Sequence, residues 1–265
     1  MLTIGCDPEL FVRNPNHGAF VSGYGLIPGT KQAPFPVAKG AVQVDGMALE
    51  FNIDPAEDED AFVGNITEVT SHLKRMVTGY DLVFDPVAEF TDEYMAEQPP
   101  EAKVLGCDPD MNAWSISANH PPNPTNNFRT AAGHVHVGWT ENADTCDIDW
   151  IIDCATLARQ LDFYLGLPSL LYDKDTKRRE MYGRAGAFRA KPYGLEYRVL
   201  SNVWCRSENL TRWVYRNTKQ AYEELCDGKR LEDKYGDIQD IINTSDVDKA
   251  KTIIDREFIC VPNIA

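Results

Sequence analysis

The chain is short of several things, and each shortage removes a class of function. No run of about 18 apolar residues occurs in its 265 residues, so no membrane-spanning helix is expected. No apolar leader flanked by Lys or Arg follows Met1, so no secretory signal is expected either. The seven cysteines are odd in number and form no CxxC or other zinc spacing. A disulfide framework and a structural zinc site are therefore not expected, and reduced thiols in a cytoplasm are. Basic residues are in deficit: 26 Lys and Arg stand against 41 Asp and Glu, a net charge of −15. That balance argues against duplex nucleic acid as a partner but leaves room for a few clustered Arg that hold phosphate. There is no GxxxxGK[ST] loop and no kinase set of motifs, so any nucleotide site must be of another kind. No linker or low-complexity tract divides the chain. Residues 1–265 read as one domain, with about 229–265 as a C-terminal helical extension.

Histidine is scarce too. Two of the five occur in Ala132-Gly133-His134-Val135-His136-Val137-Gly138. This stretch alternates as a strand, so His134 and His136 share one face and Val135 and Val137 the other. Same-face neighbours lie roughly 6.6–7 Å apart, too far to grip one ion side by side. The spacing suits one metal ligand and one neighbouring contact to a bound group.

Other strands carry same-face polar pairs. LTIGCDPELFVR (2–13) puts Asp7 and Glu9 on one face, with Pro8 at an edge or a bulge. AVQVDGMALEFNI (41–53) reads as one long strand that pairs Glu50 with Asn52. Asp45 joins that face only if Gly46 marks a bulge. LEYRVL (195–200) pairs Glu196 with Arg198. Between the first two lie Gly-rich hairpins, with Lys31 just after the Pro28-Gly29 turn. Residues 81–96 read as a strand and a surface loop. The Pro- and Asn-rich segment 119–127 reads as a loop ending near Arg129.

Helical periodicity fits about 57–77, 147–165, 207–228 (capped by Ser207) and a short segment from Ser245. Their apolar stripes are core by default. Residues 173–202 invert the local charge with Lys174, Lys177, Arg178, Arg179, Arg184, Arg189, Lys191 and Arg198. Arg178 and Arg179 read as a solvated basic loop. Arg184, Arg189 and Lys191 suit phosphate or carboxylate.

If these pairs line one concave sheet, they give several carboxylates and at least one imidazole, a set favouring Mg²⁺ or Mn²⁺. Beside a phosphate clamp, that suits phosphoryl transfer from ATP. The GHVHVG strand looks like the histidine strand of glutamine synthetase. Leu195-Glu196-Tyr197-Arg198 resembles that enzyme's late Glu-x-Arg strand, and Asp7-Pro8-Glu9 its early acidic pair. The ordered set GCDPELF, PGTK, DGMALEFN, GCDPDMNAW, RTAAGHVHVG and YGRAGAFRAKPYGLEYRVLSN resembles the phage-type carboxylate–amine ligases. These are amidoligases with a glutamine-synthetase-like fold. The departure is Ala132, where a second Gly is expected. The last quarter of the chain matches no motif.

The resemblance implies an α+β fold, with a curved antiparallel sheet carrying the catalytic face and helices behind it. It implies ATP-dependent joining of a small-molecule or peptide carboxylate to an amine through an acyl phosphate. Glu9, Glu50, His134, Glu196 and Asp7 would hold Mg²⁺ or Mn²⁺, with Glu50 also part of the catalytic set. His136 would contact ATP. Arg184, Arg189 and Arg198 would neutralise the transferring phosphoryl group. Lys31, Arg129, Lys191 and Asn52 would be phosphate or substrate contacts. Two rival readings use the same residues: a metal-dependent hydrolase and an inactive binding protein.

Overall fold

The alternating stretches become strands in antiparallel ladders. The computed structural model describes residues 1–104, 110–119 and 127–262. One sheet runs Thr3–Cys6, Val135–Gly138, Gly194–Tyr197, Ala187–Lys191, Met111–Asn112, Ser117–Ala118. A second runs Phe20–Val21, Glu9–Arg13, Ala48–Ile53, Gly40–Asp45, Phe35–Val37, and Asp81–Val83 also pairs with Glu9–Arg13. Val87–Glu89 and Phe128–Thr130 form a small third sheet. The fold is α+β, with a curled antiparallel sheet backed by helices.

The two large sheets meet at Asp7-Pro8. Thr3–Cys6 pairs with the histidine strand, from Thr3 opposite Gly138 to Cys6 opposite Val135. That contact continues past the corner, where Glu9 N–H donates to Ala132 O at 2.8 Å. Glu9 also pairs with Glu50 in the second sheet. Pro8 has no N–H to offer a ladder, so it fits where the chain leaves one sheet for the other. Its carbonyl still accepts from Phe51 N–H at 3.1 Å.

The back of the first sheet is apolar. Val135, Val137, Phe188, Leu195 and Tyr197 are fully buried, and the helix Ile148–Leu161 packs against the Ala187–Lys191 and Gly194–Tyr197 strands. Glu59–Met76 begins at Asp58, whose side chain accepts from Ala61 N–H. It has acidic residues in its first turn and basic ones in its last, as the helix dipole favours. Glu208–Cys226 begins at Ser207, which accepts from Leu210 N–H. Between these two helices Phe62 stacks on Trp204 at 6.1 Å and meets Tyr215 at 5.5 Å.

Four boundaries differ from the sequence reading. Residues 41–53 form a hairpin, not one strand: Asp45 lies opposite Ala48 and Gln43 opposite Glu50. Gly46 turns the chain with φ +57, and a Cβ there would meet Val104 O at 2.8 Å. Residues 81–96 contain a second strand and the helix Asp92–Glu97, capped by Thr91. The helix after Ile148 passes through a π-helical turn, Asp162–Gly166, before Leu167–Tyr172. The last helix is Val247–Glu257, capped by Asp246 rather than Ser245. Most of the expected 119–127 loop, and residues 106–109 of the echo of Gly5–Glu9, lie outside the described residues.

Phe62→Ala should cost about 3–5 kcal/mol, because it removes a fully buried ring from an aromatic stack. Urea unfolding of the purified protein measures this. A loss under about 1 kcal/mol would mean that the Phe62–Trp204–Tyr215 cluster does not join the two helices as described.

Candidate functional site

Strand pairing lines up the polar residues in two rows. In the first sheet Gly5 faces His136, His136 faces Glu196, and Glu196 faces Arg189. These positions are the side of the sheet away from the Val135/Val137 core. Gly5 contributes no side chain, which leaves that end of the row open. In the second sheet Glu9 faces Glu50, and Glu50 faces Gln43. Asp45 joins the second row because the Gly46 turn returns the chain two residues beyond Gln43. Asp7, at the corner, lies between the rows.

The first row is rich in charge pairs. Glu196 is 1% exposed. Its Oε2 lies 2.7 Å from Lys191 Nζ and its Oε1 3.2 Å from Arg189 Nη1. Arg198 Nη1 also donates to Oε1, and Arg198 Nε donates to Asp110 at 2.8 Å. Asp7 Oδ1 lies 3.1 Å from both His134 Nδ1 and His136 Nε2. The other edge of His136, Nδ1, contacts the phenol oxygen of Tyr193. Asp7, His136 and Glu196 bring ligand atoms within 4.8 Å of one another.

These contacts set the charges. Burial pushes Glu196 up, and so does Asp7, yet His134, Arg198 and His136 outweigh them and hold it at about 2. Burial likewise opposes ionisation of Asp7, but the two imidazoles hold it well below the carboxylate range. Burial and then Arg198 bring His134 down to about 4, so it is neutral at pH 7. Burial would lower His136 as well, but Asp7 and then Glu196 raise it.

The second row has the opposite character. Glu9, Asp45 and Glu50 also place ligand atoms within 4.8 Å of one another. Burial and then Asp45 raise Glu9 to about 7, against the N–H of Ala132, which donates to Glu9 Oε2 at 2.8 Å. Burial, Asp7, Glu9 and Asp45 raise Glu50 well above its ordinary value, although Gln43 donates to it at 2.8 Å. Among the described residues neither Glu9 nor Glu50 has an ion-pair partner.

The other expected site residues are dispersed. Asn52 shares the face of Glu50 and is half-buried. Arg184 is exposed in the turn before Ala187–Lys191, and Lys31 is exposed after its turn. Arg129 is buried in the small third sheet, and its guanidinium donates to Phe128 O and Lys103 O. Arg178 and Arg179, read as solvated, are instead 3% and 6% exposed. Arg178 donates to Val199 O at 2.7 Å and Arg198 O at 2.9 Å, and Arg179 to Ser245 Oγ at 2.7 Å. Backbone carbonyls brought in by the fold supply the partners that solvent was expected to supply.

Asp45, Asp110, Gln43 and Tyr193 did not emerge from the sequence as site residues. Asp45 had a signal: Asp-Gly flanked by alternating apolar residues is a hairpin turn. The other three are recognisable only from tertiary contacts.

Three comparisons bear on this geometry. The sequence pattern described as "Phage phiEco32-like COOH.NH2 ligase-type 2" matches residues 122–237. That span contains His134, His136, Arg184, Arg189, Lys191, Glu196 and Arg198, and not the acidic residues of the second row. No curated protein matches the chain. A crystal structure of a novel glutamine synthase homolog aligns with 96% of this chain at 11% identity and a TM-score of 0.41. The chain spans 62% of that protein's length. Residues 122–237 are thus similar to the phage-type carboxylate–amine ligases that the ordered motifs resemble.

Proposed function

We propose that the protein joins a carboxylate to an amine at the expense of ATP, with Mg²⁺ or Mn²⁺ bound at the two rows. The observation that carries this reading is the pairing of an all-carboxylate group with a neighbouring group bordered by Arg189, Lys191 and Arg198. A carboxylate oxygen of the first substrate would attack the γ-phosphorus as ADP leaves. The amine nitrogen would then attack the acyl carbon as phosphate leaves, and the nitrogen loses a proton. Charge neutralisation and alignment supply most of the catalysis in such a sequence. Arg189, Lys191 and Arg198 would take the phosphoryl oxygens. Asn52, Lys31 and Arg129 enter only as more distant substrate contacts.

The residues fit a cation. Glu9, Asp45 and Glu50 offer only oxygen, as a hard divalent ion prefers. Among the described residues Glu9 and Glu50 have no ion-pair partner, and a cation from outside would relieve their mutual repulsion. Asp7, His136 and Glu196 offer two carboxylates and a nitrogen, a set that Mn²⁺ also accepts. His134 touches Asp7 and lies 3.5 Å from Glu196, where it can hold either carboxylate as well as serve as a ligand. A bound ion would screen the repulsion between phosphate oxygens and these carboxylates. A metal-dependent hydrolase would use the same carboxylates but would leave the Arg189–Lys191–Arg198 group without a role.

Two outcomes test this. Calorimetry should detect ATP binding that depends on Mg²⁺. Glu196→Ala should weaken metal binding about tenfold or more and abolish ADP release in the presence of carboxylate–amine pairs. Unchanged ATP turnover by pure Glu196→Ala protein would remove Glu196 from the site.

The second outcome concerns pH. Glu9 lies near 7 in the fold against 4.5 in an unfolded chain, so its share of stability is complete below pH 4.5 and lost as pH rises through 7. The loss is at most about 3 kcal/mol. Without divalent cation, the melting temperature should fall between about pH 4.5 and pH 7 and then level off, and millimolar Mg²⁺ or Mn²⁺ should restore it above pH 7. A melting temperature that the cation leaves unmoved at pH 8 would count against the acidic group as its site.

A further inference from the structure

The hairpin tip between Ala187–Lys191 and Gly194–Tyr197 brings an aromatic side chain to the edge of the first row. We propose that Tyr193 is a positioning residue that orients His136. Its phenol oxygen holds Nδ1 of the ring and so turns Nε2 toward Asp7 and Glu196. The inference rests on the reading of Asp7, His136 and Glu196 as a cation site.

Three features carry it. Tyr193 Oη contacts His136 Nδ1, while Nε2 lies 3.1 Å from Asp7 Oδ1, so the two edges of the ring have separate partners. The rings lie 6.0 Å apart at 34°, so the phenol approaches the edge of the imidazole and does not stack flat on it. The tip itself is pinned. Tyr193 O accepts from Trp139 N–H at 2.9 Å and Thr140 N–H at 3.2 Å. Gly194 follows with φ +155, in a space where a Cβ would meet Val137 O at 1.9 Å. A side chain on so fixed a backbone holds its neighbour in one place.

Proton accounting explains why a phenol suits this position. Nε2 can take a cation only when it carries no proton. A neutral ring then has its proton on Nδ1 and needs an acceptor there. The phenol oxygen accepts a hydrogen bond from that N–H without adding a negative charge.

The test is Mn²⁺ binding, read by electron paramagnetic resonance in the Glu50→Gln protein. There the acidic row is disabled and the signal reports the Asp7–His136–Glu196 group. Tyr193→Phe should weaken Mn²⁺ about 10- to 100-fold, as loss of an outer partner of a ligating His does. The side chain is 36% exposed, so the melting temperature should hardly move. In the His136→Ala background the same change should add nothing. Equal Mn²⁺ affinity in Tyr193→Phe, or the same loss without His136, would overturn the role of Tyr193 while leaving the ligase reading intact. Absence of Mn²⁺ binding by the wild-type chain would overturn both.

Discussion

The charge on which the site depends is the carboxylate of Glu196. It is 1% exposed, and an isolated buried carboxylate costs several kcal/mol to desolvate. The fold offsets that cost with three cations from two adjoining strands and their continuation: Arg189, Lys191 and Arg198. Removing one of them leaves the carboxylate undercompensated, a change of about 3–5 kcal/mol in comparable buried pairs. The basic block in so acidic a chain thus has a structural reason before any substrate arrives. Arg198 is held in turn by Asp110, and Arg178 holds the carbonyls of Arg198 and Val199 from below. Gly183 makes room for that guanidinium, since a Cβ there would stand 2.2 Å from Arg178 Nη1.

Two glutamates on either side of the corner are therefore driven in opposite directions. Glu196 is held at about 2 and Glu9 rises to about 7. Neighbours decide the difference: imidazoles and a guanidinium outweigh burial at Glu196, while at Glu9 burial is reinforced by Asp45. The corner at Asp7-Pro8 puts these environments side by side. One row is already neutralised by the protein. The other has accumulated like charge that an external cation would relieve. A site that binds a metal and a phosphate together needs both kinds of environment within reach of one another.

Much of the fold was legible because it depends on local rules. The helix near 57–77, the helix capped by Ser207 and the two-residue alternation of the site strands follow from spacing and capping chemistry, while the antiparallel class came from the resemblance. The His136–Glu196–Arg189 row was half legible: alternation assigns each residue to a face, but only register makes them neighbours. Asp45 escaped because a strand of thirteen residues and a hairpin of two short ones carry the same alternation, and the Asp-Gly turn was the deciding signal. Arg178 and Arg179 escaped for another reason. A basic residue in a Gly-containing segment looks solvated unless one knows which carbonyls the fold will place around it. Tyr193 is likewise an ordinary turn residue until the hairpin tip meets His136.

The last quarter of the chain, silent in motifs, gains a physical role from its contacts with the basic block. Asn243 Oδ1 accepts from Ala185 N–H at 2.9 Å, Gln239 Oε1 accepts from Asn112 Nδ2 at 2.7 Å, and Ser245 accepts from Arg179. From the back of the sheet, Asp162 in the π-helical turn accepts from Tyr197 Oη and Trp114 Nε1, each at 2.7 Å. Tyr197 follows Glu196 directly, so this carboxylate fixes the strand from its apolar side while the cations fix it from the polar side. A π-turn is a local departure from regular helix that a sequence seldom announces. Here it aims a buried acid at the one strand whose position sets the whole first row. Segments without site residues thus supply the rigidity that holds Glu196, Arg189 and Lys191 in register.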